Sequence, residues 1–211
     1  MTAKTPLSKT LWRGRIRLDR EKFLRLGIAT EVVLLVIALL LNAVWPLPLE
    51  ENPLRTTAGL TNLGAVLVGA LAGVVMSGWF LISWDSDFLP FKRIQEFVQD
   101  QLAPTLSCCQ VWELVLLAAF AGIGEEVLFR GVIQPRTGWL IATLLFGLAH
   151  PISPTYVVVA ALLGGVLGLL QQYGGNLWAP IIAHAVYDYI GFVLIIREFR
   201  AEMLRPRSDK R

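Results

Sequence analysis

The chain has 211 residues, 55% of them hydrophobic, and a formal net charge of +3. Charged residues make up 17% of it, against about 25% in ordinary soluble domains, and none lies between Thr56 and Trp84 or between Thr137 and Tyr187. That distribution argues against a soluble domain and for membrane spans, each of which needs about 20 largely apolar residues.

Residues 1–25 read as a basic cytoplasmic arm, with eight Lys and Arg between Lys4 and Arg25. Residues 26–196 read as a single transmembrane helical domain, and 197–211 as a basic cytoplasmic tail, with six Lys and Arg from Arg197 onward. Beside apolar spans, two basic ends mark the cytoplasmic side and touch anionic headgroups; no nucleic-acid partner is expected. The expected location is a bacterial plasma membrane. The apolar run Gly27 to Trp45 follows a long polar start and precedes no small-residue cleavage site, so it reads as a retained first helix.

Span one is expected over about 26–45, followed by an acidic outer loop with Glu50 and Glu51. Span two covers about 59–82, where Gly69 and Gly73 make a small-xxx-small pair that permits close helix contact. Phe88 to Ala103 reads as an amphipathic surface helix, with Phe91, Ile94, Phe97, Val98 and Leu102 near helical spacing, ended by Pro104. Cys108 and Cys109 read as two small apolar residues at a helix start. Span three runs from about Val111 to Gln134, before a turn at Pro135-Arg136-Thr137-Gly138. Span four, about 139–150, is short for a crossing: either a partial helix buried among the others or one continuing irregularly past Pro151. Span five covers about 155–172, with Gly164 and Gly168 as another small pair, and span six about 177–196. The fold class is therefore all-α: a polytopic transmembrane helix bundle of about six spans plus a surface amphipathic helix. Trp45, Trp79, Trp84, Trp139 and Trp178 fall near span ends and read as an interfacial aromatic belt.

Ionisable groups in a bilayer core cost about 2.5–3.5 kcal/mol each on insertion scales and usually mark function. Glu125, Glu126 and Arg130 lie in span three, His150 ends span four, and His184 and Asp188 lie in span six; the two histidines are the only ones in the chain. Glu125 lies twelve residues before the Thr137-Gly138 turn and His150 twelve after it, so each is about 18 Å from the turn. His184 is about 14 Å from the same face, counted from Gly175. The three segments thus converge near mid-membrane. Glu126 and Arg130 have the favourable order for an i,i+4 ion pair. Glu125 points about 100° away from Glu126, into a water-poor cavity that suits a general base. Asp188 shares a helix face with His184 and can orient its ring. Glu31 and Glu113, near span ends, are not expected in the site, with Glu31 reaching the headgroups.

Gly124-Glu125-Glu126-Val127-Leu128-Phe129-Arg130-Gly131 resembles the EExxxR motif of the CAAX-protease and bacteriocin-processing family. Phe146-Gly147-Leu148-Ala149-His150 is similar to its FxxxH motif, and His184-Ala185-Val186-Tyr187-Asp188 to its HxxxN motif. The resemblance covers about residues 109–196. It implies a glutamic-type intramembrane endopeptidase without a cofactor or metal, acting on a peptide or protein substrate, lipidated or not, among membrane lipids. By that resemblance Glu125 and His150 activate water, His184 helps form an oxyanion hole with position 188, and Glu126 and Arg130 support the site. One departure stands out: the third motif usually ends in Asn. An ionised Asp cannot donate a hydrogen bond to an oxyanion, so Asp188 is expected to orient His184. The competing readings are a zinc-dependent membrane protease, against which no HExxH is present, and a non-catalytic scaffold, an immunity protein or a proton-coupled transporter. The absence of inverted repeats argues against transport.

Overall fold

The computed structural model describes residues 19–47, 61–84 and 86–204. Residues 1–18 of the basic arm, Glu50 and Glu51 of the expected acidic loop, and 205–211 of the tail lie outside the described residues. The elements are helical throughout the described chain: α1 (Arg20–Val44), α2 (Asn62–Trp84), α3 (Leu89–Phe97), α4 (Ala103–Leu106), α5 (Val111–Glu126), α6 (Gln134–Thr137), α7 (Trp139–Leu148), α8 (Pro154–Gly174) and α9 (Trp178–Leu204). Four of them, α1, α2, α8 and α9, are long and apolar enough to cross a membrane. A fifth run, α5 to α6, reaches crossing length only through a π-helical segment, Val127–Ile133, that joins them. The first helix begins at Arg20 and the last continues to Leu204, so the end of the expected arm and the start of the expected tail are helical extensions of spans one and six.

Apolar side chains face outward along these helices. On α1, Val33, Leu39 and Leu40 are 54%, 54% and 60% exposed, and α2, α7 and α8 present similar surfaces. A contiguous apolar surface of this kind is stable against lipid tails rather than water. Apolar attraction therefore does little to hold the helices together; close packing and interhelical polar contacts do. The glycine pairs supply the first. A Cβ on Gly73 would lie 2.6 Å from the Ala183 carbonyl oxygen, and one on Gly69 would press on the Ala179 carbonyl, so α2 lies directly along α9. Gly122 brings α5 onto α9 in the same way, and Gly147 brings α7 onto α8.

Polar contacts define two ends of the bundle. At one end Arg20 forms a two-pronged pair with Glu113, at 2.9 and 2.5 Å, Gln99 donates to the Ile195 carbonyl, and Arg200 donates to that of Ser107. At the other, Arg136 donates to Asn42 Oδ1 at 3.0 Å and to the Trp45 carbonyl, and Asn176 meets Asn62. The described chain therefore begins and ends at the same end. The helix α7 starts at the opposite end, after Gly138 at φ 86°, and α8 returns there. With 10 residues, α7 rises only about 15 Å, half of a hydrocarbon core of about 30 Å. It is a partial helix, closed by a turn, after which Ser153 Oγ caps the start of α8 by accepting the Tyr156 N–H at 3.1 Å.

Pro104 does not end the surface helix, and Pro135 does not open a loop. Both sit in the first turn of a helix that follows a π-helical segment, Val98–Leu102 or Val127–Ile133. A proline in an α-helix clashes with the carbonyl four residues back and lacks its own N–H. Here the residue before each proline donates five residues back instead, Ala103 to Val98 and Gln134 to Phe129. The widened turn makes room for the ring, and the helix continues.

Trp79, Trp84 and Trp139 also differ from the expected belt. Trp79 packs edge-on against Phe91, Trp84 is half-buried, and the Trp139 indole donates to the Gly165 carbonyl at 2.9 Å. Only Trp45 and Trp178 of the five stand exposed at a bundle end.

Candidate active site

Three segments bring the intramembrane ionisable residues together. Glu125 ends α5, His150 follows α7, and His184 lies on α9. Glu125 Oε2 stands 3.6 Å from His150 Nε2, with side chains 13% and 24% exposed. His150 Nδ1 is 2.8 Å from the Phe146 carbonyl oxygen. A carbonyl only accepts, so the proton sits on Nδ1, and Nε2 turns toward Glu125. Glu125 Oε2 is itself buried without a hydrogen-bond partner. A carboxyl oxygen and an imidazole nitrogen thus face one another across a gap too long for a direct bond.

Behind this pair lies a second, deeper layer. Glu126 is fully buried and Arg130 is 1% exposed. Arg130 Nη1 donates to Glu126 Oε1 at 2.9 Å, and its Nη2 donates to the Gly164 carbonyl of α8 at 2.6 Å. The same Glu126 oxygen accepts from His184 Nδ1 at 2.8 Å. His184 Nε2 lies 3.6 Å from Asp188 Oδ2. His184 is therefore held by Glu126 at Nδ1 and faced by Asp188 at Nε2, beyond hydrogen-bond reach, while a buried Arg neutralises the inner carboxylate.

Phe146 is the hub of this layer. Its ring lies 4.3 Å from the Arg130 guanidinium carbon, in cation–π geometry, 4.8 Å from the His150 ring and 6.0 Å from the His184 ring. Gly164 is required where Phe146 and Arg130 meet α8: a Cβ there would lie 2.6 Å from Phe146 Cδ1 and 3.0 Å from Arg130 Nη2. A small cavity of about 60 Å³ opens on His150, His184 and Asp188.

All six residues singled out in the sequence thus converge. The structure adds others. Glu126 bonds to His184 as well as to Arg130, a contact between helices that no local spacing reveals. Tyr156 and Tyr187 line the cavity. Glu31 does not reach outward to headgroups: its Oε2 is buried without a hydrogen-bond partner, against Gly124, beside Glu125. Its place near the middle of α1, eleven residues past Arg20, is the available signal. Glu113, by contrast, belongs to the Arg20 pair away from the site. Among the described residues, no group of three or more His, Cys, Asp or Glu is disposed to hold a metal ion. Cys108 and Cys109 are unbridged; their thiols lie against the Pro104 and Thr105 carbonyls.

Comparison with known proteins finds similarity in the half of the chain that carries these residues. Residues 107–190 match the family described as type II CAAX prenyl endopeptidase Rce1-like. A protein of Bacillus subtilis (strain 168), described as "Uncharacterized protein YpbD", is 40% identical over 106 residues, which cover 46% of this chain and 54% of that relative. The chain thus matches about half the length of the curated relative. No solved structure matches it significantly. The segment that is similar to this family, residues 107–190, contains Glu125, Glu126, Arg130, His150, His184 and Asp188.

Proposed function

We propose that this protein is an intramembrane endopeptidase of glutamic type. The observation that carries the reading is the facing of Glu125 Oε2 and His150 Nε2 at 3.6 Å, two groups from separate segments beside a histidine held at Nδ1 by Glu126. Water placed between Glu125 and His150 donates one hydrogen to each. Glu125 takes a proton as general base, and the hydroxide oxygen bonds to the scissile carbonyl carbon. The carbonyl π electrons move onto oxygen. His184, as imidazolium, donates through Nε2 to that oxyanion. Collapse breaks the C–N bond, and Glu125 returns the proton to the leaving amine.

In this scheme Glu126 and Arg130 are positioning residues. Glu126 fixes the His184 ring through Nδ1, and Arg130 makes a buried carboxylate tolerable there. Asp188 faces Nε2 from 3.6 Å, beyond hydrogen-bond reach, so its charge orients the ring and leaves the Nε2 proton for the oxyanion. The substrate is a peptide or protein, lipidated or not, that meets the site from the membrane. The end of the bundle that holds α3 and both described chain ends faces the cytoplasm, as the basic residues near it favour.

The test compares membrane-peptide fragments in cells carrying the wild type or Glu125→Ala at equal expression. A fragment present only with the wild type, surviving treatment of the purified protein with a strong chelator, is the expected result. Identical fragment patterns would remove the peptidase reading, and loss of cleavage on chelation would replace it with a metal-dependent one.

A further inference from the structure

A second cavity, of about 140 Å³, lies beneath α3, between α2, α8 and α9. Its walls are aromatic and aliphatic: Trp79, Trp84, Phe91, Ile94 and Tyr187 are among them. It is not separate from the site. Tyr156, Val159, Tyr187 and Asp188 line both this cavity and the one at His150 and His184. Its roof is fixed, because Gln95 Nε2 donates to the Ser83 and Trp84 carbonyls at 2.6 and 2.8 Å. That clamp ties α3 across the end of α2.

Above the roof, Trp84 and Gln95 pass into a wider rim cavity of about 350 Å³. Four carboxylates line it, Glu96 and Asp100 from the surface helix and Glu198 and Glu202 from α9, and no Lys or Arg does. Among the described residues, none of the four is in an ion pair. The chain is basic overall, so an acidic lining of this rim among the described residues is not a consequence of composition. The rim shares Trp84 and Gln95 with the aromatic cavity, and the aromatic cavity shares Asp188 with the cavity at His184, so the three adjoin in a row from the bundle end to the site.

Resting on the peptidase reading, we infer that this path selects a substrate segment in which a bulky apolar side chain sits next to basic residues. The apolar side chain fills the aromatic cavity beside Asp188, and the basic residues meet Glu96, Asp100, Glu198 and Glu202 at the rim. The volume suits a single side chain, well below the roughly 300–1,000 Å³ of sites for drug-sized ligands. Charge complementarity at an exposed rim acts mainly through encounter and discrimination.

The experiment uses the full chain carrying Glu125→Gln in phosphatidylcholine nanodiscs, so that neither turnover nor anionic lipid intrudes. Two labelled peptides, identical except for Lys-Lys or Glu-Glu before a single Phe, are titrated by anisotropy, and the wild type is tested for cleavage of both. The basic peptide should bind about tenfold tighter, the combined effect of several exposed charge pairs each of modest size. Glu198→Gln with Glu202→Gln, both at the exposed rim, should cut that preference to about threefold or less. Ser83→Phe, which fills the aromatic cavity, should weaken both peptides, as should replacing the peptide Phe by Gly. Equal binding of the two peptides, or a preference unchanged by the Glu198 and Glu202 substitutions, overturns the inference whether or not the wild type cleaves. Selective binding without cleavage by the wild type supports the path and counts against the peptidase reading.

Discussion

Replacing Arg130 by Met tests the deepest layer of the site. Arg130 and Glu126 are 1% and 0% exposed, and Arg130 donates to Glu126 at 2.9 Å and to the Gly164 carbonyl at 2.6 Å. Removing the guanidinium leaves a carboxylate with no cation except His184 and a backbone carbonyl with no donor. Breaking a buried pair in this way costs about 3–5 kcal/mol, because the remaining charge is uncompensated. The variant Glu126→Gln with Arg130→Met removes both charges and keeps an amide oxygen to accept from His184 Nδ1. It should regain about 2 kcal/mol of that loss, since neutral isosteres of buried pairs are often tolerated. The measurement is equilibrium unfolding of the purified protein in mixed detergent micelles, with SDS fraction as denaturant and tryptophan fluorescence as signal. A loss under about 1 kcal/mol for Arg130→Met alone, the range of an exposed pair, would refute the claim that this ion pair is buried and compensating. So would a double variant no more stable than the single one.

Four further outcomes follow from the same geometry. Gly164→Ala should lower cleavage more than stability, because its Cβ would strike Phe146 and Arg130 and so move both histidine rings; kcat and the SDS midpoint measured side by side check this. Gly73→Val should destabilise the α2–α9 contact by about 1–3 kcal/mol, as overpacking does, since even a Cβ there meets the Ala183 carbonyl at 2.6 Å; the SDS midpoint reports it. Arg136→Ala removes the donors to Asn42 and to the Trp45 and Val132 carbonyls and should cost about 1–2 kcal/mol at typical hydrogen-bond values, read as easier proteolysis after Trp45. Asp188→Asn should retain cleavage if position 188 serves to orient His184, since an amide oxygen can face Nε2 as the carboxylate oxygen does; a large loss of kcat with fold intact would show that the carboxylate charge itself is needed.

Much of the site was legible because its signals are local. Charge is so rare between Val111 and Ile196 that Glu125, Glu126, Arg130, His150, His184 and Asp188 stand out against apolar neighbours. The i,i+4 spacing of Glu126 and Arg130 gives their ion pair directly. Helix rise alone puts Glu125 and His150 at one depth, and the structure places them 3.6 Å apart. The shortness of α7 was visible as well, though not which of two ways it would resolve.

What required the tertiary structure concerns which way each helix turns. A helix apolar all round has no stripe to show which face looks inward, so hydropathy finds α1 and α2 but not their rotation. Glu31 was therefore assigned to the headgroups, although the fold presses it against Gly124. Trp79 and Trp84 were assigned to a lipid belt, although they wall a cavity. The prolines at 104 and 135 were read as breaks, because a π-helical turn that accommodates them depends on a hydrogen bond shifted by one residue, which composition does not encode. The bond from His184 to Glu126 joins residues 58 positions apart. By itself the sequence determined an all-helical membrane bundle and which polar residues it must shelter, because burying charge in lipid is costly wherever the helix turns. Only the packing of glycine faces against neighbouring helices decided which of those residues touch, and with that the two-layer form of the site.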